Sequence, residues 1–403
     1  MSSAAHTGLP LDGIRVVEFT HMVMGPTCGM ILADLGAEVI KVEPPGGDKT
    51  RKLPGLGMGF FRSFNRNKKS VVLDLHSPDG VAAARELVGA SDVVLENFRP
   101  GLMASLGLDH ASLEREFPHL IYVSHKGFLP GPYEKRVALD EVVQMMGGLS
   151  YMTGPVGRPL RAGSSVNDIM GGMFGAIGVL AALRTREATG RGQEVQAALF
   201  ENCVLLSGQH MQQYAVTGEA PQPMPSRISA WGIYDVFEGK GGEQIFLGVV
   251  SDTQWKIFCE AFGLQELEND PRVVTNNQRV MARDWLIPRL QEIFRQYSVR
   301  ELQDRFEANG LPYAPIVKPE QLFDDPHLNG SGGLAELTTE TGEETKVPLL
   351  PLTFDGEHLP PRQPLPSIGE HTTEVLRDIG YSLREIEALQ RQGAIGGGRK
   401  AAE

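Results

Sequence analysis

The feature that most constrains this chain is a strand, a helix and a second strand in quick succession near its start. Residues 13–20 (GIRVVEFT) and 37–42 (AEVIKV) are short apolar runs rich in β-branched side chains, and each predicts a buried strand. Between them, residues 27–35 place apolar side chains at helical spacing and stop at Gly36. The succession fits within about 30 residues, the length of a βαβ unit with two parallel strands.

The same alternation continues along the chain. Three more apolar runs, at residues 70–75, 92–96 and 120–124, predict strands, and residues 79–90 predict a helix. Strands that alternate with helices favour an α/β fold built on a doubly wound parallel sheet, the Rossmann-like arrangement. An irregular α+β arrangement is the less favoured alternative.

Changes in composition indicate where this fold is interrupted. Residues 10–205 are predicted to form the first part of a large Rossmann-like domain, and residues 217–227 (TGEAPQPMPSR) are rich enough in proline and glycine to predict a linker. Residues 228–318 open with two strand-like runs joined by a glycine-rich turn and continue with helical spacing, which predicts a small α+β domain. The last segment, 331–403, carries two helical stretches.

The overall charge limits the partners of the protein. The formal net charge is −12 at pH 7, whereas nucleic-acid binding needs a basic face that neutralises phosphates. We therefore expect no nucleic-acid partner. An anionic small molecule remains compatible with this composition, because a few local cations can hold one.

Cysteine usage and the N-terminus predict a cytoplasmic location. Cys28, Cys203 and Cys259 are widely spaced and form no CxxC pair, which predicts neither a metal site nor a disulfide framework and suits a reducing cytosol. The first residues (MSSAAHTGLPLDGIRVV) lack the basic start and apolar run of a signal peptide. The longest uncharged apolar stretch, residues 169–183, is too short and too rich in glycine to predict a membrane span.

The most informative local pattern is the polar run Gly163–Asp168 (GSSVND), which leads into an apolar helix. It places Asp168 at the helix N-terminus, where free backbone N–H groups and the helix dipole favour an ionised carboxylate. An ionised, positioned carboxylate is what nucleophilic attack on a thioester requires. On spacing alone, a simple N-cap is the more common role for such an aspartate. Gly171, Gly172 and Gly175 leave one face of the helix bare for a ligand or another backbone.

Several loops next to predicted strands combine cations with amides or aromatic rings. In a doubly wound sheet, ligands bind beyond the carboxyl ends of the strands. Cations suit phosphates and a phenylalanine suits a stacked base, so these loops favour a nucleotide-like polyanion over plain solvated surface. The residues concerned are His21, Lys68, Asn97, Phe98, Arg99 and Lys126.

Other cofactor and catalytic motifs are absent from the sequence. The loop after the first strand (HMVMGP) has no GxGxxG fingerprint, and no GxxxxGK[ST] loop occurs, so an NAD-dependent dehydrogenase is disfavoured. No candidate serine lies in a GxSxG setting.

Long stretches of the chain nevertheless resemble one known family. They are LDGIRVVEFTHMVMGP, LADLGAEVIKVEPPGGD, NRNKKSVVLDL, SDVVLENFRPG, the Asp168 helix with its following TGRGQ, and the tail LPSIGEHTTEVLRDIGYSLREIEALQRQGAI. Together they cover nearly the whole chain and are similar to the family III CoA-transferases (CaiB/BaiF proteins), which include formyl-CoA transferase.

This resemblance implies an architecture. The large Rossmann-like domain would be built from both ends of the chain, with residues 331–403 returning to it. The protein would be a homodimer whose two chains interlock like links, with the linkers near 200–227 and 318–330 threading the partner.

The resemblance also implies a chemistry, with coenzyme A as a substrate and no permanently bound cofactor. Asp168 matches the family's catalytic aspartate, which carries CoA as an aspartyl thioester, and Asp140 matches an acidic residue with a supporting role. CoA would lie against His21, Lys68, Asn97 and Phe98.

Two departures bear on the substrate. Val23 stands where formyl-CoA transferase has a glutamine, and the glycine-rich lid of that enzyme has no clear counterpart, so oxalate and formate are disfavoured. Leu139 stands before Asp140 where the racemase branch has a histidine, which disfavours α-methylacyl-CoA racemase.

The expected activity is therefore CoA transfer between an acyl-CoA and a small carboxylic acid. A dicarboxylic acid is favoured if Arg161, Arg227 or Lys126 pairs with its second carboxylate. An acyl-CoA isomerase or racemase of the same fold, and a CoA-binding protein without turnover, are the alternatives.

Overall fold

The computed structural model describes residues 8–396, and these divide into two compact units. The first unit runs to Pro221 and resumes at Pro326, so two separate stretches of chain build it. The second unit is Gln222–Asp325. The sequence placed the small domain at 228–318 and the returning segment at 331–403, of which residues 397–403 lie outside the described part of the chain.

The first unit is built on a six-stranded sheet with the order β3-β2-β1-β4-β5-β6. Its strands are β1 (Arg15–Phe19), β2 (Glu38–Glu43), β3 (Lys68–Val72), β4 (Val93–Glu96), β5 (Ile121–Lys126) and β6 (Glu194–Ala198). All five neighbouring pairs are parallel. The predicted doubly wound parallel sheet is therefore confirmed. Strands are added toward one edge from β1 to β3 and toward the other edge from β4 to β6, so the strand order reverses between β1 and β4.

Helices cover both faces of this sheet. They are α1 (Met24–Asp34), α2 (Phe60–Phe64), α3 (Pro78–Gly89), α4 (Leu102–Ser105), α5 (His110–Leu113), α6 (Asp140–Met146), α7 (Leu149–Thr153), α8 (Val166–Thr189) and α9 (Leu199–Thr217). Alternate residues of β1 enter different hydrophobic clusters, with Val16 packed on the side of α1 and α8 and Val17 on the side of α3. The predominantly apolar strand runs of the sequence reflect this burial on both faces.

The second unit has its own sheet and core. Its strands are β7 (Ile233–Glu238), β8 (Gln244–Val249) and β9 (Tyr313–Pro315), and its helices are α10 (Asp252–Phe262), α11 (Gln265–Glu268), α12 (Asn276–Met281), α13 (Arg283–Phe294) and α14 (Val299–Ala308). Strands β7 and β8 form the predicted antiparallel hairpin, with Ile233 opposite Val249. Its core centres on aromatic side chains that include Trp255, Phe258 and Phe294.

The final stretch of chain contributes to the first unit again. It contains α15 (Pro326–Ser331), β10 (Leu334–Thr338), β11 (Glu344–Pro348), β12 (Thr353–Phe354), β13 (Glu357–His358), α16 (Thr372–Asp378) and α17 (Leu383–Gln392). Val375 and Ile386 pack into the hydrophobic cluster that contains α3, and Ile395 forms an antiparallel bridge with Leu73.

The glycines of helix α8 allow it to pack closely against a neighbouring helix. A side chain added at Gly172 would lie 2.6 Å from the Met24 carbonyl oxygen and 2.9 Å from the Cys28 nitrogen, so α1 and α8 approach through their backbones. The sequence predicted that either a ligand or another backbone would lie against the glycine face of α8, and the structure shows the backbone of α1 there. By length and composition alone α8 could cross a membrane, but a helix packed in a protein core passes the same test.

Candidate active site

The reversal of strand order brings two predicted binding loops together. His21 follows β1 and Asn97 follows β4, and the His21 N–H donates to Asn97 Oδ1 at 2.9 Å while Asn97 Nδ2 donates to the His21 carbonyl oxygen at 2.7 Å. The Phe98 ring lies 5.7 Å from the His21 ring. Ligands of doubly wound sheets bind at this reversal point, beyond the strand ends. His21, Asn97 and Phe98 therefore form one candidate binding edge.

Two cations lie next to this edge. Arg99 is exposed and Lys126, at the end of β5, is half-buried, and within residues 8–396 neither side chain forms an ion pair. Lys126 is near Glu96. Burial raises the pKa of the Glu96 carboxyl, and hydrogen bonds and the Lys126 charge offset only part of this rise. Both cations are thus available to an anionic ligand.

Lys68 does not belong to this edge. Its side chain is completely buried, and Nζ donates to Glu18 Oε1 at 2.9 Å, to the Pro26 carbonyl oxygen at 2.9 Å and to Asn65 Oδ1 at 3.1 Å. A lysine ammonium has three protons to donate, so all are used. The sequence-based assignment of Lys68 to ligand binding disagrees with this placement, because Lys68 is the buried first residue of β3 and does not follow the carboxyl end of a strand.

Asp168 lies in the first turn of α8, half-buried, with Ser165 at the N-cap position. The structure therefore excludes the alternative that Asp168 is the N-cap. One turn further along α8, Gly171 and Gly172 contact Met24, which lies three residues after His21. This packing carries Asp168 to the same edge of the sheet as the binding loops.

The Asp140 carboxylate caps α8 from another helix. Asp140 is the first residue of α6, and its Oδ2 accepts hydrogen bonds from the backbone N–H groups of Asn167 at 2.9 Å and Asp168 at 3.2 Å. Its Oδ1 accepts from Gln144 Nε2 at 2.5 Å. Because the Ser165 side chain makes no capping bond, Asp140 satisfies the free donors of the helix and fixes the Asp168 backbone.

The electrostatics of Asp168 differ from the sequence-based expectation. Burial, and after it the negative charge of Asp140, together raise the pKa of Asp168 to about 7 against the opposing positive charge of Arg161. The helix terminus was expected to favour the ionised form, but removal from water and a neighbouring carboxylate prevail. The outcome is a carboxyl group that changes charge near neutral pH, as is typical of catalytic acids, bases and nucleophiles.

Sequence reasoning missed two residues that shape this site. Gln144 donates to Asp140 and accepts from the Ala162 N–H at 2.8 Å, so it joins α6 to the loop before α8. The spacing of four residues between Asp140 and Gln144 was a readable signal, because such pairs meet on a helix surface. Asn167 is completely buried beside Asp168, and no pattern in the sequence distinguishes it from an ordinary first-turn asparagine.

This arrangement can perform nucleophilic or proton-transfer chemistry on a ligand bound at the sheet edge. Within residues 8–396 no group of three or more histidine, cysteine, aspartate or glutamate side chains is arranged to hold a metal ion. The groups described at this edge that could react are the Asp168 and Asp140 carboxylates, with Arg99, Lys126 and the Phe98 ring also at the edge.

Comparison with known proteins identifies relatives across nearly the whole chain. Residues 11–372 match CoA-transferase family III. The chain is 34% identical to a succinate–glutarate CoA-transferase of Agrobacterium fabrum, covering 92% of this chain and 96% of that protein. It is 32% identical to the human succinyl-CoA:glutarate CoA-transferase, covering 96% and 90%.

A solved structure agrees with these relatives. The crystal structure of a CaiB/BaiF family protein from Brucella suis superposes with a TM-score of 0.82 at 32% sequence identity, covering 92% of this chain and 99% of that one.

Proposed function

The chain belongs to CoA-transferase family III, and from this premise we propose that Asp168 carries coenzyme A from an acyl-CoA donor to a carboxylic acid as an aspartyl thioester. The observation that supports this most directly is the half-buried Asp168 carboxyl, whose pKa is raised to about 7 and whose backbone N–H donates to Asp140. Such a group is ionised in a large fraction of molecules at neutral pH, yet is poorly solvated and so reactive.

The proposed reaction conserves the thioester. An Asp168 oxygen attacks the donor acyl carbonyl, and CoA thiolate leaves to give a mixed anhydride. The thiolate attacks the aspartyl carbonyl, the donor acid leaves as its carboxylate, and Asp168 becomes a CoA thioester. The acceptor carboxylate attacks this thioester and expels the thiolate, giving a second anhydride. The thiolate then attacks the acceptor carbonyl, which forms the new acyl-CoA and frees the Asp168 carboxylate.

CoA is proposed to bind at the edge formed by His21, Asn97 and Phe98. Phe98 offers a ring for the adenine, and Arg99 and Lys126 offer charge for the phosphates. Lys68 is not included in this binding edge, since the three protons of its buried ammonium are donated to Glu18, Pro26 and Asn65.

The acid substrates are proposed to be small dicarboxylates. Two relatives at 32–34% identity are named for succinate or succinyl-CoA with glutarate. The test is to incubate the protein with succinyl-CoA and a panel of mono- and dicarboxylic acids and to follow new acyl-CoA species by mass spectrometry. New thioesters with dicarboxylates support the proposal, and binding of acyl-CoA without any exchange would refute it.

The formation of the covalent CoA adduct should depend on pH through Asp168. Since its pKa is about 7 and only the ionised form attacks, the rate is expected to rise with pH and level off above about 8. Asp140→Asn removes a negative charge that raises this pKa, so the midpoint should move to lower pH by roughly one unit. The measurement is a pH profile of adduct formation by intact-protein mass spectrometry.

The matched control for this shift is Glu141→Gln. Glu141 is the next residue of α6 and its side chain is largely exposed, so the midpoint should stay in place. A midpoint that does not move, or rises, in Asp140→Asn would contradict the assigned electrostatics.

The protein is further proposed to act in the cytoplasm as an interlocked homodimer. Helix α8 exposes apolar side chains at spacings of four and three residues, and α9 exposes more; they are Met173, Ile177, Leu180, Leu205, Met211 and Tyr214. Exposed apolar surface of this extent is typical of a protein interface. Light scattering should give twice the chain mass of 43.9 kDa at micromolar concentration, and Ile177→Glu should weaken or abolish assembly. A monomer mass for the native protein would refute the dimer.

A further inference from the structure

Arg161 is held in place just before the catalytic helix. It lies in the loop between α7 and α8, and its two neighbours are fixed by hydrogen bonds: the Leu160 N–H donates to the Ser150 carbonyl oxygen at 3.1 Å, and the Ala162 N–H donates to Gln144 Oε1 at 2.8 Å. The backbone around Arg161 is therefore anchored to α6 and α7. Because the backbone on both sides of Arg161 is already fixed, holding its long side chain in one position costs less conformational entropy.

The guanidinium of Arg161 is charged and close to acids, but it is not satisfied by them. Its Nη2 lies 3.5 Å from Asp140 Oδ1 and its Nη1 lies 3.9 Å from Glu141 Oε2. Nε donates to the Ala162 carbonyl oxygen at 3.2 Å, and this is the only hydrogen bond of the side chain within residues 8–396. Nη2 is buried there without any hydrogen-bond partner.

A buried, unsatisfied donor on a cation is costly, so its retention calls for an explanation. The ion pair with Asp140 does not supply one, because Nη2 lies 3.5 Å from Oδ1 and forms no hydrogen bond with it. The Asp140 oxygens instead accept from Gln144, Asn167 and Asp168. The two Nη atoms of an arginine form a planar fork that suits a carboxylate. A carboxylate ligand would supply the hydrogen-bond acceptor that Arg161 Nη2 lacks.

We propose that Arg161 binds the carboxylate of the acid substrate beside Asp168, and this proposal rests on the CoA transfer proposed above. The changing charge of the site supports it. In the free enzyme Arg161 lies close enough to Asp168 to stabilise its carboxylate. When Asp168 is esterified as a thioester its negative charge disappears, and the Arg161 charge becomes available to the acceptor anion that must attack there.

The test compares Arg161→Gln with the native enzyme, with succinyl-CoA as donor and glutarate as acceptor, or the pair exchanged fastest in the panel. The KM for the acid should rise at least about tenfold, while the KM for acyl-CoA stays within about twofold. Arg161→Lys keeps the charge without the planar fork, so its KM for the acid should lie between those of the native enzyme and Arg161→Gln. It also provides the measurement if the glutamine variant does not fold.

Glu141→Gln is the control for the other acid near Arg161, and its acid KM should equal that of the native protein. An unchanged acid KM in Arg161→Gln would overturn the proposal. So would an equal rise in both KM values, because a general structural role predicts that result.

Equilibrium binding separates this proposal from the proposed function. Calorimetry of the native protein should show that succinate binds more tightly than its neutral diamide, succinamide, and that Arg161→Gln removes the difference. If the native protein exchanges no CoA but shows this preference, the transfer proposal fails and the carboxylate site stands. If it exchanges CoA and the variant keeps the preference, the assignment of Arg161 fails alone.

Discussion

Replacing Asp168 by asparagine is expected to lower kcat for CoA transfer by at least about 10⁴-fold. The amide keeps the size of the side chain but cannot form the anhydride or the thioester, so the remaining site can bind substrates and do little else. The measurement is the initial rate of new acyl-CoA formation, together with intact-protein mass spectrometry, in which the covalent CoA adduct should be present for the native protein and absent for the variant.

The same variant should be more stable than the native protein at alkaline pH. The pKa of Asp168 is about 7 in the folded state and near 3.8 ordinarily, so the folded state binds its proton more tightly. The native unfolding free energy therefore falls as pH rises from about 4 to about 7, whereas asparagine has no proton to lose. The gain of Asp168→Asn should be near zero below pH 4 and reach at most roughly 3–4 kcal/mol above pH 7.

These two readouts together distinguish a catalytic role from a structural one. An inactive variant that unfolds more easily would indicate that Asp168 supports the fold. A variant that retains more than about 1% of native activity would show that another group carries CoA. Glu141→Gln, one helix away and largely exposed, is expected to change neither activity nor stability appreciably.

The fold was predictable because strands that are buried on both faces have a predominantly apolar amino-acid sequence. In a sheet covered on both faces, strands such as residues 93–95 (VVL) are apolar on both faces, and residues 39–42 (VIKV) are so except for Lys41, whereas the helices between them have a different period. The short hairpins formed by β10–β11 and β12–β13 were not predicted. The residues of β10 and β11 are mostly half-buried and mix polar with apolar side chains, and those of β12 and β13 are mostly exposed, so no run of apolar residues identifies either hairpin.

The binding edge was predictable from topology, but the interior was not. His21 and Asn97 follow parallel strands, and such ends meet at one side of a sheet. The loop before β3 has a similar composition, yet Arg66 and Asn67 turn inward to Asp34, with Arg66 Nη2 2.7 Å from Asp34 Oδ2. The amino-acid composition of a loop does not show whether its cation is available to a ligand or already paired with a buried carboxylate.

The charge state of Asp168 could not be read from its position in a helix. The dipole of a helix terminus is a local property, whereas burial and the approach of Asp140 depend on residues 28 positions away in sequence. The capping of α8 by Asp140 also removes part of the local effect, since it uses the N–H groups that would otherwise stabilise an anion.

Replacing Lys68 by methionine is expected to lower the unfolding free energy by about 3–5 kcal/mol, because it leaves a buried carboxylate without its hydrogen-bonded partner. Lys68 Nζ lies 2.9 Å from Glu18 Oε1, and both side chains are fully buried. Lys41 is also close to Glu18, at 3.6 Å, but its own hydrogen bonds go to the Thr20 carbonyl oxygen and Asp48. Chemical denaturation of the native protein and the variant measures the difference.

Lys69 provides the matched control, since the adjacent lysine forms ion pairs with Glu38 and Glu374 near the surface. Lys69→Met should cost less than about 1 kcal/mol. Adding Glu18→Gln to Lys68→Met should recover part of the lost stability, because the second change removes the unpaired charge. If Lys68→Met instead unfolds like the native protein and raises the KM for acyl-CoA alone, then Lys68 contacts the ligand, and the assignment of its loop to the core is wrong.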